Sequence, residues 1–164
     1  MAADSAVDIT VTDANALATE AAVLAVNKIV AAIDDANDVT ATFSIDKDKA
    51  SKFSGVSDKA LDITVSDAMS VTAFGTLDLV TSEDITLSSG IIDDIGDLVD
   101  ADGVVDELTA AIADNNNLVV EIESEVTTDF AKVSTLAAAA NIGAITGSIT
   151  GTATELLNIT GLDT

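Results

Sequence analysis

Cysteine, histidine, proline, tryptophan, tyrosine and arginine are all absent from the 164 residues, and the only aromatics are four phenylalanines. Without cysteine there is no disulfide, no thiolate nucleophile and no sulfur-ligated zinc. Without histidine the usual neutral-pH base and the commonest metal ligand are missing, so any catalysis would rest on carboxylates, hydroxyls or lysine. Paired carboxylates could do glycosidase chemistry, but no Trp or Tyr is present to line a sugar cleft, and no enzymatic activity is expected. Positive charge is equally scarce. Six Lys stand against 29 Asp and Glu, a net charge of −23, which excludes the cationic footprint of a nucleic-acid binder and repels anionic lipid. No stretch of about 18 apolar residues is free of charge, so no membrane insertion is expected. The opening MAADSAVDIT has neither a cationic nor an apolar signal-peptide region.

Hydrophobic residues nevertheless make up 48% of the chain, enough to bury a core rather than leave an acidic disordered tail. That core must be built from Ala, Val, Ile and Leu, which favours thin, regular layers. The sequence repeats itself accordingly. AVDITVTDANALA, from Ala6 to Ala18, matches ALDITVSDAMSVT, from Ala60 to Thr72, without a gap. Each copy alternates like a half-buried strand: Val7, Ile9 and Val11, or Leu61, Ile63 and Val65, face one way, and Asp and Thr or Ser face the other. Asp13 and Asp67 then fit as helix N-caps.

Weaker alternating segments follow at DVTATFSI, EDITLSSG, LVVEIESEV and AITGSITGTATEL. Between strands, apolar residues recur at helical spacing: Leu17, Ala21, Leu24; Val71, Phe74, Leu77; Ile91, Ile95, Leu98; Val104, Leu108, Ile112; and Phe130, Val133, Leu136, Ala140. Thr152 and Glu155 have the spacing of a capping box. The pattern predicts an α/β repeat solenoid of strand–helix units in one domain spanning residues 1–164. Its largely parallel sheet would be covered by helices on one face, because the outward strand positions are polar. About six units are expected, with strands near 7–12, 39–45, 61–66, 84–88, 118–124 and 144–150.

Segments such as VDITVTDANALATEA, VTATFSI, LDITVSDAMSVTAFGTLDLVTSEDITLSSG and SITGTATELLNITGLDT resemble the Thr-, Ala- and Asp-rich repeats of very large extracellular surface proteins of marine cyanobacteria and related bacteria. The resemblance implies an extracellular or cell-surface, repetitive, structural or adhesive role, with export by a one-component route that lacks a cleaved N-terminal signal. It carries no catalytic residues. The spacing here is less even than in regular arrays, and the GGxGxD core of calcium-binding β-rolls is absent.

Three features bear on binding. IIDDIGDLVDADGVVDEL crowds acids together, and Asp97, Asp100, Asp102 and Asp106 are the candidate calcium ligands, since calcium needs several converging oxygens. Asp100-Ala-Asp102-Gly103 resembles the middle of an EF-hand loop. Leu98, however, stands where the first ligand belongs and Thr109 where the bidentate Glu belongs, and the competing expectation is a solvated acidic helix face broken at Gly103. Glu121, Glu123 and Glu125 share one strand face, too widely spaced for one metal, and fit an exposed strand guarded by charge against edge-to-edge aggregation. The outward Thr/Ser pairs at 10/12, 40/42, 64/66, 86/88 and 146/148 would form a hydroxyl ladder such as ice-binding surfaces present, or simply a favoured solvated strand face, with nearby Asp residues interrupting it.

The expected function is therefore a structural or adhesive module of an extracellular bacterial surface assembly, without a cofactor unless calcium binds. The alternative is a secreted calcium-dependent or ice- or glycan-binding module. The closing GSITGTATELLNITGLDT leads naturally into the opening AADSAVDITVTD, so the expected partners are neighbouring repeats of a longer chain or further copies stacked head to tail in a filament.

Overall fold

The computed structural model describes Ile9–Val11, Lys28, Ala41–Ile45 and residues 61–161. Short runs of β-branched residues bounded by Asp, Ser and Gly make the strands: β1 (Ile9–Val11), β2 (Ala41–Ile45), β3 (Leu61–Val65), β4 (Ile85–Leu87), β5 (Ile91–Asp93), β6 (Leu118–Ile122) and β7 (Ile142–Thr146). The described helices are α1 (Val71–Asp78), α2 (Ile95–Leu98), α3 (Asp106–Asp114), α4 (Phe130–Ala137) and α5 (Ala153–Leu156). Lys28 is helical and exposed. Asp13, Leu17, Ala21, Leu24 and the lysines at 47, 49, 52 and 59 lie outside the described residues. The molecule is mixed α/β with parallel sheets, and it divides into two compact units.

The first unit comprises Met1–Ala68 and Thr72–Ser88 and holds a parallel sheet in the order β1-β2-β3-β4. Its register aligns like with like. Val11, Phe43, Ile63 and Ile85 fall in one row, and Ile45, Val65 and Leu87 in another. Ile63, Val65, Ile85 and Leu87 are buried, together with Phe74 and Leu77 of α1 and the following Val80. Thr86 between the two buried residues of β4 is exposed. A one-residue slip would turn each apolar row out to water, so burial fixes the pairing.

The second unit comprises Met69–Val71 and Ser89–Thr164, with the parallel order β5-β6-β7. Met69 extends this ladder by a bridge to Ile91, and Val126 bridges Ile149. In β6 every second residue is buried, Leu118, Val120 and Ile122, while Val119 and Glu121 face water. Leu98 of α2, Leu108, Ala111 and Ile112 of α3, and Val133 and Leu136 of α4 supply the helical share of this core.

Three local expectations need correcting. The 91/95/98 spacing predicts one helix, but residues 91–93 form β5 and only Ile95–Leu98 turn helical. The Ile92 N–H donates to the Met69 carbonyl, and the Asp93 carboxylate accepts the N–H groups of Val71 at 3.1 Å and Asp94 at 3.1 Å. An aspartate that binds nearby backbone donors competes with helix formation. Asp67 does not cap α1, because the chain runs on through the Met69 bridge and turns helical only at Val71. β6 is a central strand paired on both sides, so Glu121 does not guard an open edge.

Candidate functional site

The acidic segment is held by a tight reversal. Val99 pairs antiparallel with Val104, the Asp100 N–H donates to the Gly103 carbonyl at 2.9 Å, and the Val105 N–H to the Leu98 carbonyl at 3.2 Å. The Asp100 carboxylate turns inward on this loop: its Oδ1 accepts the N–H groups of Asp102 at 2.8 Å and Gly103 at 3.1 Å. This is the aspartate turn that competes with regular structure. Gly103 sits at φ 138°, which a side chain would resist.

Asp97 lies on α2, Asp100 and Asp102 in the reversal and Asp106 at the first position of α3, and all four are exposed. Asp100, Asp102, Val104, Val105, Asp106 and Glu107 line a surface hollow of about 370 Å3. Asp97 is not part of that lining. Among the described residues, no three Asp or Glu side chains are placed to hold one metal ion. Asp106 and Glu107 stand in the first turn of α3, where carboxylates oppose the positive end of the helix dipole.

At the positions of the first sheet that alternate with the apolar rows, the register sets Thr10, Thr42 and Asp62 in one line and Ser44, Thr64 and Thr86 in another. One row of hydroxyl-bearing residues is therefore three strands wide, and the other ends at an aspartate. In the second unit Glu121 is flanked by Ile92 and Thr146, so no such row runs through it. Glu123 and Glu125 are exposed beyond the end of β6, and the Thr150 hydroxyl donates to the Glu125 carboxylate.

Several polar side chains hold backbone groups without any prior signal in the alternation, and two of them tie segments far apart in the chain. One is Asp93, through its bonds to Val71 and Asp94. The other is Ser134 on α4, whose hydroxyl donates to the Phe130 carbonyl at 3.3 Å and accepts the Thr160 N–H at 3.1 Å. A serine in the middle of a helical run is indistinguishable in sequence from a solvated one. By contrast, the capping box at Thr152 and Glu155 forms as its spacing predicts: the Glu155 carboxylate accepts the Thr152 N–H at 2.8 Å and hydroxyl at 2.7 Å, and the Glu155 N–H donates back to that hydroxyl. These bonds hold the Glu155 carboxyl below the usual glutamate range.

Among the described residues no helix is long and apolar enough to cross a membrane. Comparison with known proteins pairs the chain with no family model, no characterised protein and no solved structure.

Proposed function

We propose that the chain is a structural or adhesive module of an extracellular bacterial surface assembly, built as a solenoid of strand–helix units and partnered by neighbouring repeats or by further copies. The supporting observation is the correspondence between two successive stretches of the second unit. Asn117 and Asn141, both with positive φ, precede β6 and β7. Val126 and Ile149 bridge each other, and α4 and α5 follow, starting at Phe130 and Ala153. The later stretch lies along the earlier one at close range. A Cβ on Gly143 would stand 2.5 Å from the Asn117 carbonyl oxygen, and one on Gly151 would stand 2.8 Å from the Phe130 ring.

Stretches of about two dozen residues that each bury their apolar side on the next are the working unit of a solenoid. A surface built this way offers extended area rather than a reaction cleft, which favours a non-catalytic role. The extracellular setting rests on the Thr-, Ala- and Asp-rich resemblance. The test is antibody labelling of intact producing cells. Labelling at the surface before lysis is expected, and labelling only after lysis would sink the proposal.

A further inference from the structure

We infer that the edge of β7 that is open among the described residues, together with the exposed Leu156 and Leu157 that follow it in the chain, receives β1 of a second copy of this chain as an added parallel strand. This rests on the scaffold proposal and names its contact. Apolar positions that are covered in the β6–α4 stretch are uncovered in the β7–α5 stretch. Val133 and Leu156 each stand fourth in their helix, yet Val133 is fully buried and Leu156 is 38% exposed, with Leu157 at 83%. α5 buries none of its residues. β7 is the outermost strand of β5-β6-β7, and Gly143, Ala144 and Thr146 on it are exposed.

The usual protections of an open edge are charge, proline or a covering element. β7 carries none of the first two. Residues 133–161 include one charged residue, Glu155, in a chain that holds 29 acidic and six basic ones. That residue is occupied by its capping box. An acidic copy of the chain therefore meets its least repulsion at this end. The Gly143 bulge, where Leu118 pairs with Ile142 and Val119 with Ala144, leaves Ala144–Ile145–Thr146 as the regular part of the edge.

β1 has the matching properties. Its Ile9-Thr10-Val11 repeats Ile63-Thr64-Val65 of β3, and β3 carries parallel partners on both sides, β2 and β4. The tripeptide thus tolerates a second parallel neighbour, while among the described residues β1 pairs only with β2. Joining an edge of one kind to an edge of another is a heterologous contact, which builds closed rings or open chains of subunits according to the rotation between copies.

Sedimentation velocity at physiological salt, over a wide concentration range, tests the contact with three proteins: the unaltered chain, the double variant Ala144→Lys with Leu157→Lys, and Thr109→Lys on the exposed side of α3 as a charge control. The unaltered chain and the control should assemble alike. The double variant should stay monomeric with an unchanged far-UV spectrum and melting midpoint, because both positions are exposed. Assembly of the double variant like the unaltered chain would overturn this contact while leaving the scaffold proposal standing. A monomeric unaltered chain at every concentration would overturn it too, and surface labelling would then decide the scaffold proposal separately.

Discussion

Asp93 serves two backbone donors with one side chain. Its two carboxylate oxygens accept two N–H groups, one of them at the first residue of α1, where orphan donors need acceptors. Replacing Asp93 by Ala should cost about 1 kcal/mol, the usual worth of a side-chain acceptor at a helix start, and Asp93→Asn, with one acceptor oxygen in place of two, should recover only part of it; urea denaturation reads both. Glu155 gives a pH-dependent counterpart. Its carboxyl is held below the ordinary value by the Thr152 hydroxyl and then by the Thr152 N–H. A depressed folded-state pKa contributes stability that is complete above the ordinary glutamate value, about 4.3, and is lost as pH falls through the lowered one. The β7–α5 end should therefore loosen on acidification through that window, seen as lower amide protection factors, relative to the intrinsic exchange rate at each pH, at residues 153–159. Glu155→Gln should remove the pH dependence.

At the scale of the element, alternation decides which strand residues matter. Ile63 is 1% exposed and Thr64 half-buried. Ile63→Asp places a carboxylate in the core that also holds Phe74 and Leu77, and should cost several kcal/mol, by the penalty of about 2–7 kcal/mol for an unpaired buried polar group. Thr64→Asp should cost under about 1 kcal/mol. Equal losses in a melting experiment would contradict the face assignment. Two glycines make a second pair. Gly90 has φ 81°, and a Cβ there would overlap the Val119 carbonyl oxygen, so Gly90→Ala must part β5 from β6 and should lower the melting midpoint clearly. Gly96, inside α2, has open space around the position an added methyl would take, with nothing within 4 Å; Gly96→Ala should raise stability by about 0.5–1 kcal/mol.

For the whole molecule, charge is the dominant lever. A net charge of −23 opposes compaction at low ionic strength, and screening relieves it once the Debye length falls to about 8 Å at physiological salt. The melting midpoint should rise between very low and physiological NaCl, and scanning calorimetry reads the shift. The described acids do not gather around a single ion position, so in the same experiment millimolar calcium should raise the midpoint no more than an equal concentration of magnesium. A calcium-specific rise would reveal a binding site, because a ligand stabilises only what it binds.

Alternation makes most strands legible: the doubled VDITV and LDITV segments, TFSI, DITL and VVEI mark β1, β3, β2, β4 and β6, since period-two patterning survives any context that buries one face. The capping box is legible for a similarly local reason, because its two partners are three residues apart. β5 is not, since Ile91, Ile92 and Ile95 suit a helix turn or a strand equally, and the choice falls to the Met69 ladder and the Asp93 acceptor. The candidate calcium residues meet the same limit. Their crowding is written in the sequence, but whether carboxylates converge depends on backbone direction, and the Asp100 turn ties one of them to its own loop. Strand faces, the apolar make-up of the core and the charge thus follow from residue order alone, because each depends on residue type or on neighbours a few positions away. The place of each strand, β6 in the middle of its sheet and β7 at the margin, emerges only on folding, because pairing across tens of residues depends on neighbours that no local pattern names.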